Sequence, residues 1–151
     1  MSLSPQEVLE QFYAAERIYM RAGGVPAGAS FDGMGATLHP EVQLHQSPDL
    51  PWGGEWHGYE GFKGWSAEMS RHFDVVDVQD AKFLTSGNQV VVLCNLYTRS
   101  RVTGRSINKP MAQVVTVEDG RITDFRAFYW NVAEYVEVTS EAEKQAATQS
   151  R

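Results

Sequence analysis

Along the first part of the chain, apolar positions recur every three or four residues. In "SPQEVLEQFYAAERIYMRAG", Val8, Phe12, Ala15 and Tyr19 share one stripe, the spacing of an amphipathic helix. Ser4 is placed to cap it, Pro5 takes its first position, Glu7 completes a capping-box spacing, and Gly23 and Gly24 end it. A short second helix is expected over "FDGMGATL", with Phe31, Met34 and Leu38 inward and Pro40 as its stop. "EVQLHQ" alternates and reads as a strand. "YEGFKGWSAEMSRHF" returns to helical spacing through Phe62, Trp65, Met69 and Phe73. From Val75 the pattern changes to β-branched and aromatic runs. "VVDVQDAKFLTS", "QVVVLCNLYTRSRV", "SINKPMAQVVTVE" and "RITDFRAFYWNVAEYVEV" read as four strands joined at the turn signals "SGN", "TGR" and "EDG".

Helix, helix, strand, helix and a four-strand meander make an α+β domain. Three N-terminal helices packed on a strongly curved antiparallel sheet would enclose a cone, a natural pocket for an apolar small molecule. One domain is expected over residues 1–138, followed by a polar, frayed tail over 139–151. The length of 151 residues is enough for a real core. Net charge is −6, from 19 acidic and 13 basic side chains, which argues against a nucleic-acid surface. Cys94, the single cysteine, lies in the apolar run "VVVLCNLY" and reads as a small buried hydrophobe. No apolar run approaches the ~20 residues of a membrane span, and the N-terminus lacks the pattern of a signal peptide. A cytoplasmic protein without membrane association is therefore expected.

The connecting stretch "HQSPDLPWGGEWHGYEGF" carries more special residues than a plain linker needs. Gly53 and Gly54 allow a sharp turn, Pro48 and Pro51 restrict the chain, and Trp52 and Trp56 are expected to roof the cone.

Three stretches resemble the NTF2-like superfamily in its SnoaL-like, ketosteroid-isomerase-like branch: "PEVQLHQSPDLPWGGEWHGYEGF", the hairpin "VEDGRITDFRAFYW", and the first helix with its inward aromatics. The resemblance spans roughly residues 6 to 137. It implies an NTF2-like cone with a pocket. It does not carry over a mechanism. The position of the proton-carrying carboxylate of ketosteroid-isomerase-like members looks like Gln46, that of their second acid falls near Ala112, and that of their helical tyrosine near Ala15. The Asp-Arg-Asp set of limonene-epoxide-hydrolase-like members falls near Cys94, Leu96 and Ala127.

Among the remaining residues His45 is the candidate proton carrier, because imidazole titrates near neutral pH. Strand parity places it opposite Val42, Leu44 and Gln46, so a bulge before Pro48 is needed to turn it inward. Gln46 either binds a substrate carbonyl or holds the following turn. Tyr19, Trp52, Trp56, Phe125, Tyr129 and Asn131 complete the expected binding set. The histidine spacing points to no metal site, and no cofactor is expected. Two functions follow. One is a cofactor-independent isomerase, cyclase or dehydratase acting by acid–base chemistry on a small apolar carbonyl compound. The other is a non-catalytic ligand-binding or protein-interaction domain. Arg99, Arg101, Arg126 and Trp130 on exposed strand positions are expected to form a homodimer interface on the outer sheet face.

Overall fold

The structure is a computed structural model and describes residues 3–149. Helix α1 (Pro5–Arg21) begins as its sequence dictates. The Ser4 side chain accepts from the Glu7 backbone N–H and the Glu7 carboxylate accepts from that of Ser4, which closes the capping box. A 3₁₀ turn at Val25–Ala27 and the single-turn helix α2 (Asp32–Gly35) lead into strand β1 (Leu38–Gln46). Strand β2 (Gly54–His57), helix α3 (Gly58–His72) and strands β3 (Phe73–Ser86), β4 (Gln89–Ser100), β5 (Ser106–Glu118) and β6 (Arg121–Tyr129) follow. Helix α4 (Val132–Gln149) completes the described chain.

The six strands form one sheet in the order β2-β1-β6-β5-β4-β3. All neighbours are antiparallel except β1 and β6, which run parallel. The meander could not reveal that pairing, since it joins the first and last strands. A bulge at Asp80, with φ of 54°, bends β3, so the sheet curls around the helices. Alternate residues of β4 and β5 enter the core: Val90, Val92, Leu96, Met111, Val115 and Val117. Phe12, Phe31 and Phe62 meet them from the helices, with edge-to-face rings at 5.6 Å (Phe12–Phe62) and 6.5 Å (Phe31–Phe62).

Two expectations change here. "GEWH", expected to be loop, forms edge strand β2. The run expected to extend the last strand to Val138 stops at Tyr129, and residues 132–149 are helical where the end of that strand and, from residue 139, a frayed tail were expected. Tyr135, Val138, Thr139 and Ala142 bury one face of α4 at helical spacing. Arg105 ties that helix down through Glu137 and Glu141, each at 3.0 Å. Residues 150 and 151 of the expected tail, and Met1 and Ser2 of the N-terminus, lie outside the described residues. Among the described residues no helix is long and apolar enough to cross a membrane.

The Gly-Gly turn is a steric requirement. A Cβ on Gly53 would lie 2.0 Å from the Ser47 carbonyl oxygen and 2.8 Å from that of Leu50, and Gly54 has φ of +100°.

Candidate functional site

The concave side of the sheet encloses a small cavity of about 20 Å³. That is room for about one water molecule. Its apolar wall includes Met69, Val76, Leu96, Met111, Phe125 and Ala127, and its polar groups come from Glu16, Gln46, Trp65, Gln113 and Tyr129.

Glu16 is the group that sequence reading missed. It lies on α1 and is 5% exposed. Burial pushes its carboxyl up to about 8; the neighbouring Arg17 opposes that shift and Asp77 adds to it. Arg17 and Asp77 are themselves paired at 3.3 Å. The signal was present: Leu9, Tyr13, Glu16 and Met20 form a second buried stripe beside Val8, Phe12 and Tyr19. A carboxyl completing an apolar stripe is a residue to question.

Gln46 faces the cavity, as strand parity requires. Its Oε1 and the Trp65 Nε1 have no hydrogen-bond partner among the described residues. Gln113 accepts from the Tyr13 hydroxyl and donates to Met111 Sδ at 3.4 Å. Tyr129 accepts from Trp52 Nε1 at 3.1 Å, and burial holds its hydroxyl proton far above the usual phenol range. Gln46, Ala127 and Tyr129 also line a surface groove with His45, Arg126 and Phe128. They are thus the wall between cavity and solvent.

His45 does not reach the cavity. The pairing of Gln46 with Gly54 continues the β1–β2 ladder without a bulge before Pro48, so the imidazole stays on the outer face. There its Nδ1 meets Glu55 of β2 and its Nε2 lies 2.8 Å from Asp124 of β6. The ring pins the edge strand to the sheet. The two carboxylates bind opposite ring nitrogens and so do not converge on one point as metal ligands would. Of the other expected contacts, Phe125 and Tyr129 line the cavity. Tyr19 does not: its hydroxyl accepts from the Val25 N–H at 3.1 Å and its ring packs on Phe31. Asn131 precedes α4 and donates to Glu134 at 2.8 Å.

The two tryptophans between β1 and α3 are structural. Trp52 is completely buried, with the rings of Phe73, Tyr135, His72 and Tyr129 around it at 5.3, 5.6, 5.7 and 6.2 Å. Trp56 lies along α3, where a Cβ on Gly61 or Gly64 would meet it at 3.2 or 3.5 Å. His72 ends α3 and is buried. Burial, followed by the nearby Arg71, lowers its pKa, although Glu68 opposes the shift from 3.1 Å. Arg101, expected on the outer strand face, bonds the Ser70 and Phe73 carbonyls at 2.8 and 3.0 Å and closes the end of α3.

Helices laid in the hollow of a curved six-stranded sheet, around a pocket with a few polar groups, define an NTF2-like cone protein. The sequence matches the SnoaL-like domain family over residues 10–125, and the chain belongs to that family. Its fold is similar to that of an NTF2-like protein of unknown function from Burkholderia pseudomallei, with a TM-score of 0.73 at 22% identity over 89% of this chain and 96% of the other. It is also similar to TerC co-crystallised with polyporic acid, with a TM-score of 0.74 at 19% identity over 90% and 98%. A candidate polyketide cyclase from Pseudomonas putida superposes with a TM-score of 0.70 at 17% identity over 90% and 98%. No curated protein matches the sequence.

Proposed function

We propose that the chain is a cofactor-independent acid–base catalyst, of the isomerase, cyclase or dehydratase type, acting on a small, largely apolar carbonyl compound. The observation that carries this reading is the Glu16 carboxyl, buried in the cone with its pKa at about 8. A carboxyl tuned to that range both takes and returns protons near neutral pH. As carboxylate it removes a proton from the carbon next to the substrate carbonyl. The C–H bonding pair moves into the enolate, and the negative oxygen accepts from Trp65 Nε1–H or the Tyr129 hydroxyl. Return of the proton to another atom of the enolate completes an isomerisation. The co-crystallised TerC and the candidate cyclase fit a small-molecule role for this cone.

The test is hydrogen–deuterium exchange. Enolisable ketones such as 2-butanone and cyclohexanone are incubated with protein in D2O, and loss of the α-proton signal is followed by NMR. Wild type is expected to accelerate exchange over buffer, with a rate rising to about pH 8 and then level. Glu16→Gln should lose roughly 10²-fold or more. His45→Gln, on the outer face, should stay near wild type. The competing reading, a non-catalytic binding or protein-interaction domain, draws on the small volume of the cavity. It wins if wild type accelerates exchange of none of these ketones.

The protein is also proposed to be a homodimer through the outer sheet face. Leu93, Ala112 and Phe128 stand in register across β4, β5 and β6, beside Val91 and Val114. Phe128 and Trp130 are 56% and 81% exposed. That apolar strip, rather than the arginines, is the reason for a self-complementary interface: Arg99 is already engaged by Asp74 at 2.9 Å. Light scattering is expected to give twice the chain mass, and Phe128→Asp should give a monomer. A wild-type monomer at high micromolar concentration would rule the interface out.

A further inference from the structure

Two of the five polar groups around the cavity are already occupied. Gln113 is held by Tyr13 and Met111, and Tyr129 by Trp52. Two atoms differ: Gln46 Oε1, an acceptor, and Trp65 Nε1, a donor, have no partner among the described residues. Both belong to side chains in the cavity wall, on residues only 5% and 4% exposed. Leaving such groups unpaired is costly, so their chemistry defines what belongs between them. Resting on the pocket reading above, we infer that the cone takes its ligand by an uncharged oxygen group that both donates and accepts a hydrogen bond: a hydroxyl, phenol or enol held between Gln46 and Trp65.

The charge of the wall narrows the class. Among the described residues no Lys, Arg or His lines the cavity. A carboxylate or phosphate would therefore lose its hydration without gaining a cation, beside a carboxyl that already resists ionisation. An ammonium group would satisfy Gln46 but offer no lone pair to the indole N–H. An ether or ketone would satisfy Trp65 and leave Gln46 bare. The rest of the ligand is apolar, as the Phe125, Leu96 and Val76 walls require. Met69 and Met111 are the unbranched, flexible side chains that can swing aside to enlarge the cavity for a ring.

The probes are phenol, anisole, toluene and benzoate, titrated into the wild-type protein. Binding is read from the indole N–H signals of the four tryptophans, with Trp65→Phe identifying the Trp65 resonance. Phenol should bind roughly tenfold or more tighter than anisole and toluene, and benzoate should bind weakest. The Trp65 indole N–H should move downfield with phenol and not with toluene. Gln46→Met, which keeps side-chain length, should remove the preference for phenol over anisole. Anisole or toluene equal to phenol in wild type overturns the inference, whatever the variants do. So does benzoate binding best, an unmoved Trp65 signal, or no saturable phenol binding. The acid–base reading fails separately: ketone exchange that survives Glu16→Gln sinks it while leaving a hydroxyl preference intact. Exchange that depends on Glu16 without such a preference sinks only the present inference.

Discussion

Glu16→Gln will make the protein more stable, and increasingly so as pH rises. In the unfolded chain this carboxyl ionises near 4.5; in the folded one it ionises at about 8. Between those values the folded state keeps a proton that the unfolded state has lost. Stability contributed by Glu16 therefore falls as pH rises through that window and is flat above it. Glutamine has the shape of the neutral acid and no such dependence. The advantage of the variant should be near zero below pH 4.5, grow by up to about 1.4 kcal/mol per pH unit, and reach on the order of 4 kcal/mol at pH 8. Urea midpoints of both proteins at pH 5 and pH 8 measure it. His72 acts in the opposite sense, because a lowered imidazole pKa means stability lost as pH falls below 6.5. That contribution is common to both proteins and cancels in their difference. Equal differences at the two pH values would mean that Glu16 ionises normally and would remove the basis for its catalytic role.

Trp52→Ala should cost about 3–5 kcal/mol, the range for deleting a large buried aromatic. The indole fills the space between the β1–β2 connection, the start of β3 and helix α4. Its removal also leaves the Tyr129 hydroxyl without the N–H that it accepts. Chemical denaturation gives the number. A loss under 1 kcal/mol would return Trp52 to the role of a solvent-facing lid over the ligand. A full loss identifies the aromatic connecting stretch as a structural plug. It would explain why the stretch between β1 and α3 carries two tryptophans: one anchors α4, and the other lies against α3 across Gly61 and Gly64.

The chemistry of this protein divides between what is local in the chain and what is not. Helical spacing, the Ser4–Glu7 cap and the turn signals are local, so α1, α3 and the four strands of the meander were legible from residues alone. The inward direction of Gln46 followed from strand parity, and so did the outward direction of His45, which only an unobserved bulge could have reversed. The last helix was missed because "NVAEYVEV" is rich in β-branched and aromatic residues; burial of Tyr135, Val138 and Ala142 against the rest of the fold outweighs that weak local preference.

By themselves, periodicity and turn chemistry, which act over a few residues, determined an α+β domain with inward aromatics, and the resemblance added the cone. Only the tertiary structure decided that β1 lies parallel to β6, since that contact joins segments some 80 residues apart. It also decided which titratable group is catalytically interesting. A carboxyl's pKa is set by what surrounds it in space. Glu16 is raised because the sheet closes over α1, while His45 is spent as a pin between Glu55 and Asp124 on the outer face.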